Sequence, residues 1–309
     1  MKKTLLIILS LWGYANAAEV DNFTGRNLPL NDATLVLNHA ANLYLDQAID
    51  AANKRGHCDK KRLYRKISTR FRDNYNDKFS HFAYKAPEVP KRRVKIKDSI
   101  YADFTSIESF IMGGLGLIFD SNAPVVNIQG HQIGSDKFEH FFGMGYFYFK
   151  RFYLRSRSVQ QVLDFGRKTE TGILGANMTG VISYADLAAN FKGMHFWNHL
   201  LNQGQDVLDL GSTPGPYIAC KNEKWQRVKD VDLAFYVDDA WDEAINCSLF
   251  RTEQMLEKIK LRMDLLSQTD GTAITCPVQR QGLQQIEKIY APYAKQLLNF
   301  KGHGILVRK

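Results

Sequence analysis

Four cysteines in 309 residues, with no C-x-x-C or C-x-x-H spacing, leave little from which to build a zinc site of the usual structural kinds. No G-x-S-x-G elbow is present, which argues against a serine hydrolase of that type. Internal repeats and low-complexity tracts are also lacking, so a solenoid or a disordered tail is not the organising principle. Beyond the first residues nothing resembles a membrane span, and the mature chain is expected to have none. The basic helices around Lys60–Arg72 lack the interleaved aromatics of a nucleic-acid groove, so no nucleic-acid partner is expected. Nothing points to a cofactor.

The chain opens with MKKTLLIILSLWGYANA: two lysines, an apolar run of about eight residues, and Ala15-Asn16-Ala17 as a small-x-small cleavage site. This predicts a leader over 1–17 and a periplasmic or secreted protein. No cysteine follows the cleavage site, so a lipid anchor is not expected. Cleavage would remove Lys2 and Lys3 from 41 basic residues and none of the 32 acidic ones, lowering the net charge from +9 to about +7. Such a protein meets anionic lipid, lipopolysaccharide or peptidoglycan carboxylates more readily than nucleic acid. Cys58, Cys220, Cys247 and Cys276 are an even set in an oxidising compartment, which suggests two disulfides. With three of the four at or beyond Cys220, the C-terminal part is expected to be stapled to itself, with one bond reaching back to Cys58.

The remainder reads as mainly α (α+β), a helical core with a small β insertion. A helical region with a basic linker, KAPEVPKRRVKIKDS, occupies 18–97; a helical core occupies 98–211; a disulfide-linked helical region occupies 212–309. Within the core, SIYADFTSIESFIMGGLGLIF predicts a buried helix, and APVVNIQGHQIG a short strand or extended turn around Gly130. Ser135 or Asp136 should cap the aromatic helix KFEHFFGMGYFYFKRFYL. A helix ending near Glu170 follows.

The stretch Glu170–Asn190, ETGILGANMTGVISYADLAAN, interrupts this helical pattern with Gly, Ser and β-branched residues. Two acids, Glu170 and Asp186, bracket the break. Glycoside hydrolysis needs two such carboxyl groups, one a raised-pKa acid and the other ionised. Glu170, among Phe165, Ile173 and Leu174, suits the acid; Asp186, beside Ser183, Tyr184 and Asn190, suits the carboxylate, carried across by a β-hairpin. The structural alternative makes Glu170 a cap of a neighbouring helix or a partner of Arg167, and makes Asp186 itself the N-cap of the following helix, Ser183-x-x-Asp186 having the capping-box form with Asp in place of Glu. Asp136, Glu139 and His140 share a helical face and with Glu170 or Asp186 can form an oxygen-rich metal site. An N-cap plus a buried, hydrogen-bonded His140 accounts for them equally, and no metal is expected.

GSDKFEHF and the later DLAANFKG resemble the G-x-D-K-x-x-H-F and D-L-x-x-N-x-x-G elements of the YfiM lipoprotein and VanZ-like families, over residues 134–193. The chain lacks the lipoprotein cysteine of the one and the multiple membrane spans of the other. The arrangement Glu-Thr-Gly-Ile-x-Gly, then Thr-Gly-Val-x-Ser-Tyr-Ala-Asp-Leu, also resembles exported lysozyme-like proteins of predatory bacteria, including the lysozyme specific for deacetylated peptidoglycan. That resemblance implies a lysozyme-like core, peptidoglycan glycan strands as substrate, and the catalytic glutamate at Glu170, with Glu139 as the rival. Tyr184, Ser183, Asn190, His140 and Glu139 would line or support the site. A deacetylated glycan is cationic, so a basic protein would need an acidic cleft to receive it. The alternative is a non-enzymatic envelope protein with a structural DKFEH/SYADL core.

Overall fold

The computed structural model describes residues 19–72, 79–110, 122–172, 175–208, 213–279 and 283–306. The expected leader, the start of the Gly211–Pro216 boundary, and Ile173 and Leu174 lie outside these ranges. The fold is mainly helical with small sheets, as the sequence pattern indicates. No helix among the described residues is long and apolar enough to cross a membrane.

Helix α1, Thr34–Asn53, buries Leu37, Ala41, Leu45, Ala48 and Ala52 at helical spacing, and Asp32 Oδ1 accepts a hydrogen bond from Thr34 N at its start. Helix α2, Lys60–Phe71, is capped by Asp59, which accepts from Arg62 N. It turns Leu63, Tyr64, Ile67 and Phe71 inward, leaves Lys60, Lys61 and Arg65 exposed, and uses Arg62 to donate to the Ala51 and Ala52 carbonyls of α1. Helix α3 is Phe79–Lys85. A hairpin, β1 (Val125–Ile128) with β2 (His131–Gly134), turns at Gln129-Gly130, both at positive φ, and lies where a strand or turn was expected.

The centre is built by three helical pieces and two longer helices. Helix α4 (Lys137–Glu139), a π-helical turn (His140–Met144) and α5 (Gly145–Phe152) follow one another. Helix α6 (Val159–Glu170) starts at a Ser158 capping box. Helix α7 (Tyr184–His199) is buried along its whole length. Around it, Phe71, Phe79, Phe141, Phe142 and Phe196 interlock with neighbouring ring centroids 4.7–6.4 Å apart. The largest apolar cluster runs from Ala33 to Leu298, so the N-terminal, central and C-terminal regions all contribute to it.

Three expectations require correction. Neither Ser135 nor Asp136 caps α4 with its side chain, because the Asp136 carboxylate is drawn to Lys137 instead. No hairpin joins Glu170 to Asp186 among the described residues. The short strand β3, Val181–Ile182, pairs antiparallel with β6, Leu249–Phe250, which pairs parallel with β7, Gly304–Ile305. Residues 101–103 and 106–108 form turns rather than the expected buried helix, with Ile107 and Phe110 exposed; residues 111–119 of that stretch lie outside the described ranges.

Helices α5 and α7 cross backbone to backbone. A Cβ on Gly145 would lie 2.6 Å from Gly193 Cα, and one on Gly193 would lie 1.9 Å from the Phe141 carbonyl oxygen. Only glycine fits this crossing. Gly193→Ala should therefore force the π turn away from α7 and cost about 3 kcal/mol, the upper end of overpacking effects. A urea midpoint indistinguishable from wild type would contradict that account.

The expected covalent pattern is present: Cys247–Cys276 closes the C-terminal part on itself, and Cys58–Cys220 ties the start of α2 to the strand β4, Ile218–Lys221. A thiol assay on the denatured, unreduced protein should find no free cysteine. Replacing the Cys58–Cys220 pair by serine should lower stability by about 2–5 kcal/mol in equilibrium unfolding.

Candidate functional site: a buried acid cluster around Lys137

Because α7 is buried on every side, each of its polar side chains needs an internal partner. Ser183 begins the helix as its N-cap, accepting from Asp186 N at 3.1 Å while its hydroxyl donates to Glu243 Oε1 at 2.8 Å. The structural reading of the sequence places the N-cap at Asp186; the cap is instead Ser183, three residues earlier, and the same hydroxyl has a second use on Glu243. Asp186, in the first turn, then faces the DKFEH segment.

Lys137 is fully buried and makes three ion pairs: Asp136 Oδ2 at 2.6 Å, Asp186 Oδ1 at 2.6 Å and Glu243 Oε1 at 2.7 Å. Of its N–H donors, one goes to Asp136 Oδ2 and one to Glu243 Oε1, while Asp186 Oδ1 faces the ammonium as a close ion pair outside hydrogen-bond geometry. Burial alone would discharge it, but the three acids outweigh that and hold it charged well above its ordinary pKa. His140, half-buried one turn further on, places Nε2 3.1 Å from Asp186 Oδ2 and Nδ1 3.2 Å from Asn190 Oδ1. Glu170, at the end of α6, brings Oε1 to 3.9 Å from His140 Nδ1. The donor atoms of His140, Glu170 and Asp186 all lie within 4.8 Å of one another, and those of Asp136, Asp186 and Glu243 form a second such group. Glu19 belongs to the same field, close enough to Glu243, Asp186 and Glu170 to shift and be shifted by them.

Five carboxyl groups therefore share a dry space with one lysine and one histidine. They cannot all ionise. Burial and the neighbouring Asp186 charge push Glu170 well above the usual carboxylate range, and burial together with Glu243 and Asp186 does the same to Glu19. Burial raises Asp136 and lifts Glu243 to about 7. Asp186 goes the other way: burial opposes ionisation, but His140 and Lys137 prevail and hold it below its ordinary value. The result is a protonated acid, Glu170, beside an ionised one, Asp186, the division of labour that acid–base chemistry requires.

The chain matches no protein-family model, no curated protein and no solved structure. Its likeness to the YfiM, VanZ and lysozyme-like groups therefore rests on the motif residues alone.

Of the expected site residues, Glu170, Asp186, Ser183, Asn190 and His140 converge. Tyr184 is buried and takes a hydrogen bond from Arg167 Nη1 on its hydroxyl, at 3.4 Å. Arg167, the expected structural partner of Glu170, is thus placed on Tyr184. Glu139 is half-buried and stands outside both donor groups. Sequence reasoning did not assign Lys137 or Asp136 to the site, weighing Asp136 only as a cap or a metal-site member, and it missed Glu243 and Glu19 altogether. The first two lie inside the DKFEH motif and were legible there. Glu243, within DDAWDEAIN, and Glu19 carry no local signal, because only the fold brings them to α7.

The raised Glu170 pKa fixes the sign of a pH effect. Above its unfolded value, near 4.5, the folded form holds a proton that the unfolded form releases, so this contribution to stability falls as pH rises toward the folded pKa. His195 and His303, held low by burial, act oppositely over part of that range, so the informative quantity is a difference. Glu170→Gln should gain stability relative to wild type between pH 5 and pH 8. A pH-independent difference in urea midpoints would count against a protonated Glu170.

Proposed function

We propose that this is an exported, lysozyme-like glycoside hydrolase acting on peptidoglycan glycan strands. One observation carries the reading: two carboxyl groups within 4.8 Å, under one histidine, are pushed in opposite directions, Glu170 toward its acid form and Asp186 toward its anion. In this reading Glu170 protonates the glycosidic oxygen as the bond to the leaving sugar breaks. Asp186 faces the oxocarbenium-like carbon and stabilises its charge until water adds there, the water's proton returning to Glu170. Lys137 and Ser183 position Asp186, and Asn190 with Asp186 orients His140. The separation is close to the about 5–5.5 Å of retaining glycosidases and well short of the about 6.5–9.5 Å of inverting ones. His140, 18 % exposed at its side chain, marks where the cluster meets solvent. Two disulfides suit an oxidising compartment outside the cytoplasm, in keeping with the leader expected over 1–17.

A second reading has its own support. The pairing of Lys137 with three acids and the Gly145–Gly193 crossing are what a non-enzymatic envelope protein would need to lock its core. Sacculi, acetylated and deacetylated, separate the two. Wild type should release muropeptides from at least one, detected by mass, and Glu170→Gln should lower the rate by about 10²–10⁴-fold with the fold intact. Loss of cleavage in Glu139→Gln but not in Glu170→Gln would transfer the acid role to Glu139. No cleavage of either substrate by wild type would leave the structural reading standing.

A further inference from the structure

The other end of α7 carries a second polar cluster that the proposed chemistry does not use. His195 and His199 are one turn apart, both fully buried, and both turn to Asp206 on the segment that follows the helix. His195 Nδ1 is 3.3 Å from Asp206 Oδ1, and His199 Nε2 is 2.5 Å from Asp206 Oδ2. One donor atom from each of the three lies within 4.8 Å of the others. We propose that His195, His199 and Asp206 bind a divalent transition-metal ion of the zinc type, through His195 Nδ1, His199 Nε2 and Asp206 Oδ2.

Three features argue for an ion rather than a hydrogen-bonded latch alone. The donor set, two imidazoles and one carboxylate, suits zinc and its borderline neighbours rather than magnesium or calcium. The outer partners are in place: Tyr236 Oη lies 2.8 Å from His199 Nδ1 and fixes that ring, and Tyr217 Oη lies 2.9 Å from Tyr236 Oη. Asp206 Oδ1 already accepts from Asn198 Nδ2 at 3.0 Å, which leaves Oδ2 as the oxygen to ligate.

Bonds of about 2.0–2.1 Å in a tetrahedron set neighbouring donors about 3.3 Å apart. The His199 Nε2–Asp206 Oδ2 pair must open by about 0.8 Å as the ion replaces the shared proton, and His195 Nδ1, which now faces Asp206 Oδ1 at 3.3 Å, must turn toward Oδ2. Asp206 follows the exposed Gly204 and Gln205, so a water can complete the fourth position from the surface. The ion would pin residues 200–208 to the end of α7. It would be closed on the helix side by Phe191, whose ring centroid is 5.1 Å from that of His195.

The test uses the whole mature protein, stripped with a chelator and titrated with Co²⁺ and Zn²⁺ as the metals alone. About one equivalent of Co²⁺ should bind with the visible absorption of a four-coordinate site, Zn²⁺ should displace it, and the melting temperature should rise with either ion. His199→Gln and Asp206→Asn should abolish the absorption, whereas His140→Gln, at the other donor group, should keep it. Less than a tenth of an equivalent bound by wild type, with no shift in melting temperature, would overturn the proposal whatever the variants do. Absorption lost in His140→Gln and kept in Asp206→Asn would overturn it too, by moving the ion to the acid cluster.

Discussion

The architecture depends on one buried ammonium. Taking a lysine out of water costs several kcal/mol, and the cost is recovered only where geometry and partners are near ideal. Lys137 meets that condition through acids from three places: its own neighbour Asp136, Asp186 on α7, and Glu243 from the segment leading to β6. Those three attachments set α4, α7 and the C-terminal region against one another. They also leave the cluster over-supplied with negative charge. Burial, together with that excess, raises Glu170, Glu19 and Glu243, while Asp186, which meets both Lys137 and His140, is held toward its anion. Structural clamp and candidate chemistry are thus two aspects of the same charge imbalance.

The spacing of the two motifs follows from helix geometry. Asp186, Asn190 and Gly193 recur at intervals of four and three along α7, so they share a stripe. Lys137 and His140 stand three apart and meet Asp186 and Asn190, and Gly145 continues the line to Gly193. The π turn at His140–Met144 adds the local change of phase at the closest approach of the two backbones. Such turns are uncommon and concentrate at functional sites.

Legibility in the sequence followed the range of the interaction. Local rules held: Asp59, Ser158 and Ser183 cap the helices that begin after them, and Gly271 ends the helix Glu253–Asp270 in the left-handed region. The two disulfides followed from count and position. The failures share a cause. Asp136 has the composition of a cap but is captured by a stronger electrostatic partner next to it, and Val181–Ile182 pairs with Leu249–Phe250 rather than with a nearby strand. Glu243 and Glu19 reach the cluster from opposite ends of the chain, beyond the reach of periodicity. The pair His195-x-x-x-His199 was readable as one face of a helix, but its third member, Asp206, lies past the helix end where that pattern stops.

Segments far apart in the sequence also meet. The ring of Phe23 lies 5.5 Å from that of His303, which lies 5.3 Å from Phe250, and β7 adds itself beside β6 in parallel. Residues 280 positions apart thus share a small core. Contacts of such long sequence separation are slow to form, because the loop-closure entropy comes due before the contacts can repay it. The meeting of Phe23, His303 and β7 is therefore expected to come late in folding, after the hairpin and helices that close on near neighbours.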